Sequence, residues 1–507
     1  MNGLLFDAAQ HVGVLAMAAA RAFPRWKRSV CQQYGLTAGT VDTAHYARSA
    51  GRPFSSAEEA AFHYLTMGSA RDWSPQAGFS PADYRRDNPD TVLAGYEPFA
   101  HWLRFGRAEG RCTMAPVDPL VPDMRGLSKR GRPEGTRATV DVIVPVYGGR
   151  SLTLQAIASV LEAPTREVYE LVVVDDASPD GLLRGELEAL ARAGLVTLLV
   201  NDRNIGFVGS VNRGMALHPG RDVVLLNSDA RVYGDWLDRL MAALRTPKTG
   251  TATPFSNAAT ILSYPATLCE NTLPPESVAG WDRLCADVAS PAVEIPTAVG
   301  FCMAVRRACL DRVGAFDQER FGRGYGEEND FCLRASAAGW RHLAAPDLFV
   351  WHRGGTSFGA ERHQRVAAAQ ATIEALHPGY AAKVGRFIRE DPLETARRAL
   401  DIARIRTDPR PKRLCLAPAV ATGSQDVLEI ELVPDLPPYM GQYRLVPKGI
   451  GAAPNLPRCG PLTSSRDLAL LFGELGVCQF SIEPGRAESV PWARRIRQAL
   501  EMIGVTA

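Results

Sequence analysis

The 507-residue chain has ten cysteines but no Cys-x-x-Cys pair. That spacing is what zinc ribbons and dithiol redox motifs need, so both are excluded. An excess of one charge is also lacking, since 57 Lys+Arg against 55 Asp+Glu leave a net +2. Such a balance offers no electrostatic footprint for nucleic acid, and none is expected as a partner. The apolar run at residues 12–20 is too short to span a membrane. Its basic residues Arg21, Arg25, Lys27 and Arg28 follow it, the wrong order for a secretory signal. It predicts an amphipathic helix and, at most, contact with a membrane surface. Scattered cysteines and no secretory signal predict reduced thiols in a cytoplasm, with the inner membrane face as the furthest reach. The glycine spacings of dinucleotide-binding and P-loop motifs are missing too.

A chain of this length exceeds one ordinary core, so roughly two to four domains are expected. A repeat occupies residues 41–111. His45-Tyr46 aligns with Asp83-Tyr84, Phe62-His63-Tyr64-Leu65 with Ala100-His101-Trp102-Leu103, and Gly68 with Gly106, always 38 positions apart. A fixed offset of this size marks a duplicated supersecondary unit. His63 and His101 recur without a carboxylate or cysteine partner, so packing or capping is their expected role. Residues 1–113 therefore read as a helical domain with two repeats. The Pro-, Gly- and Arg-rich stretch 114–138 reads as a linker.

From residue 139 apolar runs alternate with helical patterns. Strands are expected over 139–147, 171–174, 196–200 and 223–226, and helices over 152–161 and 208–216. That alternation predicts an α/β domain with a doubly wound, mostly parallel sheet. Polar residues recur at the carboxyl ends of the strands, where open α/β sheets bind ligands. They are Asp175-Asp176, Asn201-Asp202-Arg203-Asn204 and Asn227-Ser228-Asp229. Helical segments broken at His377-Pro378-Gly379 carry this domain to residue 405. Residues 406–413 read as a second linker, and 414–507 as a small α/β module.

Asp229 offers a hard oxygen ligand for Mg2+ or Mn2+, and His352 would add an imidazole that favours Mn2+. The cluster Glu327-Glu328-x-Asp330 supplies candidate general bases. Asp175 and Asp176 suit a base or ribose, and Arg203 suits a phosphate. Acids also favour the first turn of a helix, and Asp favours its N-cap, so a plain structural role competes at each position. Trp340 and Trp351 read as core.

Six motifs in order over residues 140–358 resemble a family 2 glycosyltransferase. They are Val142-Ile143-Val144-Pro145-Val146-Tyr147, Val174-Asp175-Asp176-Ala177-Ser178, Asn204-Ile205-Gly206-Phe207, Leu226-Asn227-Ser228-Asp229, Gly300-Phe301-Cys302 and Gly324-Tyr325-Gly326-Glu327-Glu328-Asn329-Asp330. The resemblance implies a glycosyltransferase A fold for residues 139–405. It also implies an enzyme (a hexosyl- or deoxyhexosyltransferase) and a nucleotide-diphosphate-sugar donor. The transfer would invert the anomeric centre and depend on Mn2+ or Mg2+. Pro145, Tyr147, Asp175 and Asp176 would line the nucleoside pocket, with Arg203 and Asn204 near base and ribose. Asn227 and Gly300 would face the substrate, and Asp229 and His352 would hold the metal. By the same match Glu328 is the base, with Glu327 and Asp330 as alternatives. The paired repeats resemble segments attached to bacterial surface-polysaccharide transferases. That implies a glycan or lipid-linked glycan acceptor, peripheral membrane association, and protein partners through the end modules. Residues 414–507 weakly resemble the opening of a glycosyltransferase B type domain. The competing expectation is a non-catalytic nucleotide-sugar-binding or scaffolding subunit of a glycan assembly complex.

Overall fold

The computed structural model describes residues 28–505, apart from stretches at 89–96, 114–121, 128–136, 355–361, 417–425, 435–441 and 483–491 and shorter breaks. The amphipathic helix expected at 12–20 lies outside the described residues, as does most of the linker 114–138. The chain divides into two compact units, one of residues 1–118 with 357–360, the other of 119–356 with 361–507.

In the first unit, helices α1 (Thr43–Ala50), α2 (Ala57–His63) and α3 (Pro98–His101) carry the aligned residues. A wider π-type turn follows α2 at Tyr64–Gly68, and an equivalent one follows α3 at Trp102–Gly106. The two copies agree bond for bond. The Tyr46 hydroxyl meets His63 Nδ1 at 2.8 Å, and that of Tyr84 meets His101 Nδ1 at 2.8 Å. Asp42 N donates to Pro75 O, and Ser80 N to Thr113 O. Each glycine exists for close approach: a Cβ on Gly68 would lie 2.0 Å from the Tyr46 hydroxyl, and one on Gly106 2.2 Å from that of Tyr84. His63 and His101 are buried structural partners of tyrosines, as their lack of ligand-type neighbours predicts.

The second unit is built on an eight-stranded sheet, in the order β3-β2-β1-β4-β8-β6-β9-β7. Its strands are β1 (Val140–Val146), β2 (Tyr169–Asp175), β3 (Thr197–Val200), β4 (Asp222–Leu226), β6 (Thr249–Phe255), β7 (Val293–Glu294), β8 (Cys302–Val305) and β9 (Arg341–Phe349). The first four are parallel neighbours, and β6 runs parallel to β9. β8 is antiparallel to both β4 and β6. The aliphatic runs of β1, β2 and β4 are buried on both faces, as a sheet covered on both sides requires. Helices α4 (Arg150–Glu162), α5 (Gly181–Arg192), α6 (Gly206–Met215) and α7 (Trp236–Leu244) connect the early strands; α8 (Val278–Val288), α9 (Arg307–Val313), α10 (Gln318–Phe321) and α11 (Glu327–Ala337) follow. This is the expected mostly parallel α/β architecture. A two-residue ladder pairs β5 (Ala230–Arg231) with β10 (Trp351–His352).

Helices α12 (Arg362–Leu376), α13 (Tyr380–Glu390) and α14 (Glu394–Thr407) follow, with the break at His377 to Gly379 where proline and glycine predict it. The stretch 406–413 is shorter as a connection than its composition suggests. Helix α14 runs to Thr407 and strand β11 (Lys412–Leu416) begins five residues later, because Ile405 and Leu414 are both drawn into the module's core. The module is a four-stranded sheet, β13 (Tyr443–Pro447), β12 (Leu428–Pro434), β11 and β14 (Val477–Ile482), flanked by α15 (Ser465–Glu474) and α16 (Ala493–Met502).

Candidate active site

The carboxyl ends of β1, β2 and β3 lie in register. Asp176 N donates to Val146 O at 2.8 Å, and Asn201 N donates to Asp175 O at 2.8 Å. Pro145 is partly exposed here, and Tyr147 is 60% exposed, large for an aromatic ring with nothing to pack on. Asp175 is buried and committed. Its carboxylate accepts from Ser178 N and from Arg184 Nη2 at 3.0 Å. Asp176 accepts from Asn201 Nδ2 and from the backbone N–H groups of Ile205 and Gly206, so it braces the start of α6 from a neighbouring strand. The structural role that competes at these two acids is thus real, although a carboxylate with two oxygens can accept further bonds. Arg203 and Asn204 stand exposed in the loop just before α6.

At the end of β4 the chain turns through Asn227, Ser228 and Asp229. Asn227 N donates to Phe301 O at 2.8 Å, continuing the antiparallel register by which Leu226 faces Cys302. The β5–β10 ladder then sets His352 beside this turn, with Arg353 N donating to Asp229 O. His352 Nε2 lies 3.3 Å from Asp229 Oδ1 and 3.4 Å from Asn227 Nδ2. His352 Nδ1 lies 2.9 Å from the Ala258 carbonyl, which can only accept. Nδ1 therefore carries a proton, and Nε2 is the ring nitrogen turned toward Asp229. Burial lowers the His352 pKa, but the Asp229 carboxylate, the Ala258 carbonyl and Glu270 together outweigh it, and the net shift is upward. A carboxylate and an imidazole nitrogen pointed at one spot, with the other ring nitrogen held by a carbonyl, is a donor set that fits a divalent cation.

Sequence reasoning missed what holds this histidine. Asn257, buried just past β6, accepts from His352 N at 2.9 Å and donates to His352 O at 2.7 Å. Phe301 stacks on the imidazole with ring centroids 5.2 Å apart. A polar residue just past a strand end was the available signal at Asn257; nothing in the sequence pairs it with a residue 95 positions away.

The acid cluster opens α11. Glu327 is buried and Glu328 partly so, and the Oε2 atom of each is enclosed with no hydrogen-bond partner among the described residues. Burial, then the Glu328 charge, hold Glu327 well above the ordinary carboxylate range. Burial raises Glu328 as well, opposed by backbone N–H groups at the helix start and by its bond with Glu327. Both carboxyls are thus pushed upward by their enclosure, and the two acids titrate as a pair. Asp330 is spoken for, since it accepts from Arg334 Nε at 2.8 Å and sits 2.8 Å from His377 Nε2. Gly300 closes the picture. A Cβ there would meet the Glu328 side chain at 3.9 Å, while the next residue, Phe301, touches His352. The acid pair and the Asp229–His352 pair thus flank one dipeptide.

A second group, Asp141, Glu170 and His218, brings three ligand-type atoms within 4.8 Å of one another. It lies toward the opposite end of the strands, and the Arg221 guanidinium sits in it, 2.8 Å from Asp141 and 2.7 Å from Glu170. With that cation in place, the group reads as an ion-pair network.

The model of "Glycosyl transferase family 2" matches residues 141–314. Residues 141–314 form a family 2 glycosyltransferase domain. The N-acetylgalactosaminyltransferase 7 of Drosophila melanogaster is 29% identical over 116 residues, 22% of this chain and 20% of that protein. The uncharacterized protein y4gI of Sinorhizobium fredii is 25% identical over 303 residues, 57% of this chain and 32% of its own length. The solved mannosyltransferase PcManGT from Pyrobaculum calidifontis, in complex with GDP-Man and Mn2+, is 19% identical with a TM-score of 0.37, over 53% of this chain and 75% of that one. The chain spans between a fifth and a third of the length of the curated relatives it matches. Among the described residues no helix is long and apolar enough to cross a membrane.

Proposed function

We propose that this chain is an inverting, metal-dependent glycosyltransferase that moves a sugar from a nucleotide-diphosphate donor to a hydroxyl acceptor in bacterial surface-glycan synthesis. The observation that carries the reading is the Gly300-Phe301 dipeptide between two chemistries, the Glu328 side chain on one side and the Asp229–His352 pair on the other. Tyr147, Asp176 and Arg203 line the strand ends where the nucleoside would lie. Asp229 and His352 would hold Mn2+ or Mg2+, which would neutralise charge on the leaving diphosphate. Glu328 takes the proton of the acceptor hydroxyl as its oxygen bonds to the anomeric carbon and the bond from that carbon to the diphosphate oxygen breaks. One displacement with one base inverts the centre, because retention would need a second carboxylate as nucleophile. Glu327, buried beside it with its carboxyl held well above the ordinary range, completes the acid pair. The N-terminal repeats, which resemble segments attached to surface-polysaccharide transferases, favour a surface glycan or its lipid-linked precursor as acceptor.

The test is Mn2+-dependent release of nucleoside diphosphate from a panel of nucleotide sugars. Release from one donor, lost in both Asp229→Ala and Glu328→Gln, is the expected result. Wild-type release in both variants overturns the assignment. Pyrophosphate as product would place the chain among nucleotidyltransferases instead.

A further inference from the structure

The loop between β6 and α8 has two sides. On one, Asn257 and Ala258 clamp the backbone and the Nδ1 of His352. On the other, Tyr264 and Pro265 reach α14 and the C-terminal module. The Tyr264 hydroxyl donates to Asp401 Oδ1 at 2.8 Å, and both residues are fully buried. Asp401 Oδ2 accepts from the backbone N of Asn455 at 2.8 Å, and Asn455 Nδ2 donates to Pro265 O at 2.9 Å. Asn455 belongs to the module, and its bond to Pro265 O joins residues 190 positions apart.

Within the loop the two sides are tied by short bonds. Tyr264 N donates to Ser256 O, and Ser256 N to Leu262 O. Ala259 N donates to Ser263 Oγ at 2.8 Å. Asn271 donates from its backbone N to Asn257 O, and its side chain accepts from Ala266 N. A shift of Pro265 or Tyr264 therefore carries to Asn257 through bonded neighbours, with little slack in a buried loop. Arg404, which donates to Ile450 O in the module, also lies over the Trp281 ring at 4.3 Å and pins the same corner.

We infer that the C-terminal module positions the metal-side histidine: Asn455 and Asp401 hold the 256–271 loop, and through Asn257 that loop sets the place of His352. The inference rests on reading Asp229 and His352 as a metal pair. Asn455, Asp401, Tyr264 and Asn257 are positioning residues, since none touches the reacting atoms. The module then contributes to donor binding without a catalytic group of its own. That also accounts for a buried, acceptor-rich Asp401 at a junction where an apolar residue would pack without any desolvation cost.

The experiment titrates Mn2+ alone into the full-length chain and follows the free-ion signal by electron paramagnetic resonance. Asn257→Ala should weaken binding about tenfold, the usual scale for removing a support of a metal ligand. Tyr264→Phe and Asn455→Ala should weaken it in the same direction by about threefold or more, with donor KM raised and kcat recovered at saturating Mn2+. Leu462→Ala, on a module side chain 97% exposed, should bind as wild type. Wild-type affinity in both Tyr264→Phe and Asn455→Ala, with binding abolished in Asp229→Ala, overturns the coupling and leaves the metal reading standing. Unchanged binding in Asp229→Ala overturns the metal reading itself. Should Asn455→Ala unfold the module, Tyr264→Phe, which removes one hydroxyl and keeps the ring, decides the question alone.

Discussion

Two acids two positions apart in the same helix turn stand in different surroundings. Glu328 packs its side chain near Gly300 and has an enclosed oxygen without a partner among the described residues, whereas Asp330 is closed in by Arg334 and His377. Glu328→Gln keeps the shape and removes the base, so kcat should fall about 10²- to 10⁴-fold with little change in melting temperature. Asp330→Ala should do the reverse. It removes the acceptor of Arg334 Nε and the partner of His377 Nε2, although Arg334 keeps the Val313 and Ala315 carbonyls, and a loss of about 2 kcal/mol in stability is expected, read by denaturant unfolding. The pH profile separates them further. A base must be ionised to act, and burial raises Glu328 above the ordinary 4.5. Activity should therefore fall with decreasing pH along a limb centred above 4.5, and the residual activity of Glu328→Gln should lack that limb. A profile flat down to pH 4.5 in the wild type would remove Glu328 from the reaction.

The repeats make their predictions at the level of the element. Each tyrosine–histidine pair fills the space that its glycine leaves open, so Gly68→Ala forces a Cβ toward the Tyr46 hydroxyl and should cost about 1–3 kcal/mol, as should Gly106→Ala against Tyr84. Thermal melting of the two single variants checks this; no shift in either would mean the packing gives way freely. Protonation strains the same element. Burial, then Arg52 and Arg71, hold His63 down at about 4 against an ordinary 6.5. The folded state thus prefers the neutral ring, and stability should drain away as pH falls from about 6.5 toward 4. His63→Gln should flatten part of that dependence. The 38-residue offset made the repeat legible, because matching residues at a fixed spacing need no knowledge of contacts, but the Tyr46–His63 and Tyr84–His101 bonds within each copy are seen only in the structure. The early strands were legible for a similar reason, being unbroken aliphatic runs such as Val142-Ile143-Val144. Strands β6 and β9 were not. Thr249-Gly250-Thr251-Ala252-Thr253-Pro254-Phe255 is buried throughout, yet its small and hydroxylated residues carry no hydrophobic pattern. At the site, Asp229, His352 and the acid pair could be nominated from motif order. The raised carboxyls of the pair and the Asn257 clamp arise from enclosure and long-range pairing, which no local spacing encodes.

At the scale of the whole molecule, the informative element is one that belongs to two cores. Helix α14 buries Leu393, Ala396 and Leu400 in the core of the large sheet, and Ile405 in that of the C-terminal module. A rigid helix packed at both ends transmits disorder from one core to the other, whereas a flexible linker would let each melt alone. Ile405→Ala tests this directly. The side chain is fully buried, and its loss should cost about 2–5 kcal/mol through the cavity left behind. If the helix couples the cores, amide protection should fall together in β12 of the module and in β6, whose end carries the loop that holds His352. Unchanged protection in β6 beside a loss in β12 would mean that the module unfolds by itself, and that its hold on the site is broken before the sheet feels it. In the coupled case, donor KM should rise over the same temperature range in which β12 loses protection, since the loop that places His352 would loosen with the module.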